Sequence, residues 1–236
     1  MKSILTVLFL GITIAHAQKN EVWVNANSGL FHFAGDGATS TTAMMYALDN
    51  SMAYAQPYGK KNGVGYGLSL SAQRVTKYNL IYGVEGGYEQ FSSKASITSG
   101  LYTSSLATSY LMQTTATGKS TSTFGFINFH PYIGYRIRCN KVNVDITGGL
   151  DIAIATKANQ VIKGEATQSV LFKQSLQKPK TDIRPRVQVT ASYHKVGIYA
   201  GYSFGQRNFE PLYMTMGKQP EALARIFRFG ISYRIL

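Results

Sequence analysis

The first place where residue types and spacing match a reaction is Gly201-Tyr202-Ser203-Phe204-Gly205. G-x-S-x-G presents a serine nucleophile only on a sharp turn from strand to helix. Here Val196, Ile198, Ala200, Tyr202 and Phe204 alternate with Gly197, Tyr199, Gly201, Ser203 and Gly205 straight through the motif, which puts Ser203 in mid-strand. Gly118-Lys119-Ser120 resembles the end of a phosphate-binding loop, but Gln113 stands where that loop needs glycine, and the three residues read as a loop tip. Ser192-Tyr193-His194 has the residue types of an acyl-transfer site, yet it borders a tight turn with the serine on the opposite parity from the tyrosine. His32, with Asp36 nearby, is a further candidate base without a spaced orienting partner. No group of His, Cys, Asp and Glu has metal-ligand spacing, and Cys139 is alone. No catalytic residue, cofactor or metal follows from these motifs.

The charged residues make a more regular pattern. Glu85, Glu89, Asp145, Asp151, Arg136, Arg186, Arg228 and Arg234 fall on the non-apolar parity of alternating segments, among glycines and serines. Alternation of period two marks strands. The clearest segment has Phe227, Phe229, Ile231, Tyr233 and Ile235 against Arg228, Gly230, Ser232 and Arg234. Similar segments run through Val64–Leu70, Leu80–Tyr88, Phe129–Ile137, Val142–Ile154, Val187–Tyr193 and Val196–Phe204. The first, Val22–Phe33, changes parity, which predicts a bulge near Ser28-Gly29; Pro131 predicts another at His130-Pro131. About eight strands result.

The connections select among all-β folds. Thr76–Asn79, Arg138–Lys141 and His194-Lys195 are short, while 34–62, 92–122, 157–181 and 206–224 are long, and the two kinds alternate. A closed antiparallel eight-stranded transmembrane β-barrel, with short periplasmic turns and long extracellular loops, has this arrangement. Its interior holds only side chains, so the eight charged residues are expected to form an ion-pair network filling the lumen. Tyr82, Tyr135, Tyr193 and Tyr233 near the short turns, with Tyr66, Tyr88, Phe204 and Phe227 near the long loops, form two aromatic girdles on the lipid-facing parity.

Composition sets the class. Charged residues are 15% of the chain, with 24 Lys+Arg against 11 Asp+Glu, 23 Gly and 16 Tyr, so intrinsic disorder is excluded. One cysteine excludes a disulfide scaffold. Mean hydropathy of −0.08 excludes a helical membrane protein. Met1-Lys2-Ser3, the apolar run Ile4–Ile14 and Ala15-His16-Ala17 read as a secretory signal over residues 1–17, leaving 18–236 as one barrel domain. Losing Lys2 lowers the formal charge of +13 by one.

Phe129-His130-Pro131-Tyr132-Ile133-Gly134-Tyr135, Asp145-Ile146-Thr147-Gly148-Gly149, Gly201-Tyr202-Ser203-Phe204 and Phe229-Gly230-Ile231-Ser232-Tyr233-Arg234 together resemble the outer-membrane β-barrel family of Bacteroidetes, which includes porin-like and PorT-like members. The chain departs from such barrels in ending Ile235-Leu236 rather than in an aromatic residue. The resemblance implies a small outer-membrane barrel without catalytic residues. The expected role is non-enzymatic: envelope structure, surface interaction or accessory work in a secretion assembly. A narrow porin-like channel and a lipid A-modifying enzyme centred on His32 are the alternatives. Lys94, Lys119, Lys157, Lys163 and Lys173, with Lys178 and Lys180, sit in outward loops, where lipopolysaccharide phosphates are the nearest abundant anions. The expected protein is a monomer in the outer membrane of a Gram-negative bacterium. Its partners are lipids, lipopolysaccharide and loop-bound proteins, and nucleic acid is not among them.

Overall fold

The computed structural model describes residues 19–48, 51–103, 112–179, 181–209 and 220–236. The signal expected over residues 1–17, and Lys180, lie outside them. The strands are β1 (Lys19–Ala34), β2 (Thr41–Ala47), β3 (Ala53–Tyr54), β4 (Lys61–Val75), β5 (Leu80–Thr103), β6 (Met112–Cys139), β7 (Val142–Glu165), β8 (Ser169–Ser175), β9 (Asp182–Tyr193), β10 (Val196–Asn208) and β11 (Leu223–Arg234). Eight of them pair antiparallel in a ring, β1-β4-β5-β6-β7-β9-β10-β11, and β11 closes on β1 from Trp23↔Arg234 to Ala34↔Leu223. Closure satisfies the backbone without a free edge, the condition for crossing a bilayer with strands.

Short turns join the ring at one end. Two of them hold two residues between the pairs Cys139↔Val142 and Tyr193↔Val196. Asn140 (φ 53°) and His194 (φ 51°) open these turns in the left-handed region, and Asn79 (φ 64°) serves the turn after β4. Such backbone suits a hairpin whose twist matches its strands.

The wall is inverted relative to a soluble barrel. Leu68, Leu70, Ile133, Ile146, Val187, Val189, Ile198, Ile231 and their neighbours are exposed, while Asn25, Asn27, Ser69, Thr147 and Ser203 are buried. On β9 the apolar face runs from Ile183 to Tyr193. Ten steps of about 3.3 Å, tilted by about 40°, give a belt about 25 Å tall, the height of a membrane's apolar slab.

Above that belt the faces exchange roles. On β1 the outward residues are Val22, Val24 and Ala26, yet Phe31 and Phe33 point inward and are fully buried. The β1 register is unbroken against both neighbours, so the bulge expected at Ser28-Gly29 is absent. The parity never changes; the outside solvent does, from lipid to water, and apolar side chains follow the dry side. β6 repeats this, with Ile127 and Phe129 outward below and Phe124 and Phe126 buried above. On β5 Tyr88 faces out, and Phe91, Ala95 and Ile97 face in. Phe31 pairs with Ile226 and Phe91 with Phe124, so the exchange occurs at one level around the ring.

Pro131 also makes no bulge. Phe129↔Ile152 and Tyr132↔Gly149 keep one register, and the ladder only skips the proline, which lacks the donor. The β6–β7 irregularity lies instead at Gly125/Phe126, opposite Thr156.

The long connections are largely strand. β5, β6 and β7 continue past the exchange level, β8 folds back on β7, and β2 lies parallel to β5 with β3 hairpinned on it. This distal extension has its own core of Met44, Tyr46, Ala53, Ala55, Ile97, Ala116, Ile162 and Val170. From Phe91 to Tyr102, β5 rises roughly 30 Å at the same tilt.

Candidate functional site

The lumen is built in layers by strand parity. At the short-turn end Glu21 accepts from Arg136 Nη1 (2.9 Å) and Nη2 (2.8 Å), Arg234 Nη1 (3.0 Å) and Gln73 Nε2 (2.8 Å). Arg136 also forks onto Asp145, with Nε and Nη2 each 2.7 Å from a carboxylate oxygen. In the middle Arg228 binds Glu89 through Nε (2.6 Å) and Nη2 (2.8 Å), reaches Asp151 at 2.8 Å and donates to Ser203 Oγ at 2.5 Å. Asn27 and Asn128 also donate to Glu89. Arg186 sits 3.3 Å from Glu85. Higher still, Arg184 pairs with Asp182 at 2.7 Å and lies over the Phe126 ring at 4.2 Å.

All eight charged residues singled out in the sequence therefore lie inside the barrel, with Arg234 at the rim. Glu21, Asp182 and Arg184 complete the set and were missed. Glu21 shares the inward parity of Trp23, Asn25 and Asn27, and the alternation of β9 extends backward through Ile183 and Pro185. Following either strand to its end would have found them. The bidentate forks of Arg136 on Asp145 and Arg228 on Glu89, with extra donors around them, are what make these buried ions tolerable, whereas Arg184 meets Asp182 through Nε alone.

Over the ionic layers lies an aromatic one. Phe33 meets Phe31 at 4.9 Å, Tyr58 and Phe209 at 5.1 Å and Phe124 at 5.5 Å between ring centres. The Tyr58 hydroxyl donates to the Phe209 carbonyl at 2.6 Å. Below it, Tyr132 and Tyr199 fill the space over Gly83 and Gly230, where a Cβ would come within 2.7 and 2.9 Å of their rings. Beside His130, Glu85 and Tyr199 a polar cavity of about 30 Å³ remains, room for a water or two. None of the buried phenylalanines lines it.

The reactive-looking residues are occupied structurally. Ser203 is buried and holds Arg228. Gly118-Lys119-Ser120 is mid-strand in β6, not a loop tip, and Ser120 accepts from Gln160 at 2.7 Å. His194 is a turn residue packed edge-on against Tyr193. His32 Nδ1 faces Asn62 Oδ1 at 2.8 Å on the outer wall. His130 is buried and stacked on Tyr132. Cys139 is exposed at a turn. Among the described residues no group of three His, Cys, Asp or Glu could hold a metal.

Tyr82, Tyr135, Tyr193 and Tyr233 are exposed near the short turns, and Tyr66, Tyr88, Phe204 and Phe227 are exposed toward the other end, all on the lipid-facing side. Lys94, Lys119, Lys163 and Lys173 lie on strands of the distal extension rather than in loops, and Lys157 stands opposite Gly125 at the exchange level.

A closed ring with an apolar outer belt and a charged, filled interior is an outer-membrane β-barrel, and its place is the outer membrane of a Gram-negative bacterium. No family model matches the chain, and no curated protein does. Three of the solved structures that resemble it are the following. Ail, the attachment invasion locus protein of Yersinia pestis, in complex with the heparin analogue sucrose octasulfate, has 13% identity over 92% of this chain and 98% of its own, at a TM-score of 0.37. Neisserial surface protein A has 12% identity over 90% and 96%, also at 0.37. The translocator domain of the autotransporter NalP from Neisseria meningitidis has 10% identity over 98% and 93%, at 0.26.

Proposed function

We propose that this chain is a sealed, non-enzymatic outer-membrane barrel that works as a monomeric membrane mount for a folded surface extension. The observation that carries this reading is the continuity of β5, β6 and β7 from the lipid belt into the distal sheet, over a lumen filled by ion pairs and capped by phenylalanines. Strands shared between wall and extension hold the surface structure rigidly. A filled lumen serves mechanical support better than transport. Residues 1–17 act as the export signal and 18–236 as the barrel. The chain is assigned to the porin-like and PorT-like Bacteroidetes barrels on its motifs. Lipopolysaccharide and surface or secretion-assembly proteins are its partners, engaged through the distal sheet.

Gel electrophoresis of membrane fractions with and without heating, followed by planar-bilayer recording of the purified protein, tests the reading. The expected result is a heat-modifiable band in the outer-membrane fraction and no current above background. Steady conductance abolished by bulky lumen substitutions would replace it with the narrow-channel reading. Altered lipid A in cells carrying the protein, restored to normal by His32→Ala, would replace it with the enzyme.

A further inference from the structure

The outer face of the distal extension carries a row of lysines whose register is more specific than their number. Lys61 lies directly opposite Lys94, and its Nζ donates to Ser96 Oγ at 2.6 Å. Ser96 lies directly opposite Lys119, and Lys119 directly opposite Lys163. Lys173, opposite Val161, is one diagonal from Lys163. The row thus crosses five neighbouring strands, β4 to β8. Like charges placed directly opposite destabilise a sheet, and here it happens twice. Inside the barrel each arginine of the network meets a carboxylate. Outside, Lys94, Lys119, Lys163 and Lys173 make no ion pair among the described residues. A shallow depression lined by Thr117, Lys119, Lys163, Glu165 and Leu171 lies at the centre of the row.

We infer that this row is a phosphate-binding face that grips the phosphorylated sugars of lipopolysaccharide in the surrounding leaflet, an inference resting on the outer-membrane mount proposed above. The direction of the face selects this occupant over a soluble polyanion. Tyr88 and Lys94 are separated by three pleats of β5 in unbroken register with β6, so the lysine leaves the same face as the lipid-facing tyrosine. The lysines point sideways over the membrane, about 15 Å above the upper girdle at the wall's tilt. That is the layer where the leaflet carries its own phosphates. Opposed lysines start about 5 Å apart at Cβ, so two ammonium groups can close on one phosphate and turn a repulsion into a clamp.

The test uses the full chain in phosphatidylcholine vesicles with and without purified lipopolysaccharide, reading the unfolding midpoint and retained lipopolysaccharide. The heat-modifiable band certifies folding. Wild-type protein should bind, less at high salt, and dephosphorylated lipopolysaccharide should not stabilise it. Replacing Lys94, Lys119, Lys163 and Lys173 by Gln should weaken binding about fivefold per lysine, whereas Arg replacements keep it. If the fourfold variant does not fold, Lys119→Gln with Lys163→Gln gives the same reading. This pair has a signature that a structural role lacks. Without lipopolysaccharide it should raise the midpoint by removing repulsion, and with lipopolysaccharide it should lower it. Equal binding by the Gln variants, equal stabilisation by the dephosphorylated form, or tighter binding of a soluble sulfated polysaccharide would overturn the inference. Channel current from the same sample would instead overturn the sealed mount and leave the lysine result standing.

Discussion

Removing the guanidinium of Arg228 is the sharpest perturbation of the lumen. Arg228 is fully buried, and three of its nitrogens hold Glu89, Asp151 and Ser203 at 2.5–2.8 Å. Arg228→Ala leaves two carboxylates buried without their cation, at a cost of about 3–5 kcal/mol for breaking such a pair from one side. That reduces the folded-to-unfolded ratio by two to nearly four orders of magnitude, since about 1.4 kcal/mol is tenfold. Urea unfolding in lipid vesicles measures it, and the single tryptophan, Trp23, reports from inside the lumen. Arg228→Met combined with Glu89→Met and Asp151→Leu should recover most of the loss, because an apolar set of similar volume needs no partner. A loss below about 1 kcal/mol for Arg228→Ala would refute the reasoning, because it would mean that water reaches and solvates these carboxylates.

Three further outcomes follow from the layers. Val187→Arg, in the middle of the outer belt, should cost about 2–4 kcal/mol in vesicle unfolding, whereas Thr115→Arg, exposed above the exchange level and opposite Ser99, should stay within about 0.5 kcal/mol. Phe33→Ala should cost about 3–5 kcal/mol by the same assay, although Phe33 shares its strand face with the polar Asn25 and Asn27. His194→Gly should gain about 1 kcal/mol, because the residue sits at φ 51° in a tight turn; a loss would show that the imidazole does more than turn the chain.

The membrane segment was legible because a strand with lipid on one side and a packed lumen on the other prints its environment at period two. Val187, Val189 and Tyr193 against Arg186, Gln188 and Thr190 show it, and the short turns then fix the ring order. Phe31 and Phe33 look out of phase with Val22, Val24 and Ala26 in the sequence because the outside is not one solvent along the whole strand. The apolar side swaps where lipid gives way to water, and a swap of polarity without a swap of parity looks like a bulge. The Ser/Thr-rich stretches that became distal strands carry few apolar residues, and their partners lie far along the chain. Asp182 and Arg184 are hidden in the sequence behind Pro185, which reads as a strand break although it keeps the outward parity of β9.

The apolar parity of the strands faces lipid and the charged parity faces the lumen. Single cysteines at consecutive positions 186–191 of β9, introduced with the exposed Cys139 replaced by Ser and spin-labelled in the vesicle-embedded chain, test it most directly through collision with lipid-soluble oxygen. Accessibility should be high at 187, 189 and 191 and low at 186, 188 and 190. Uniform accessibility, or oxygen reaching the charged parity instead, would contradict it.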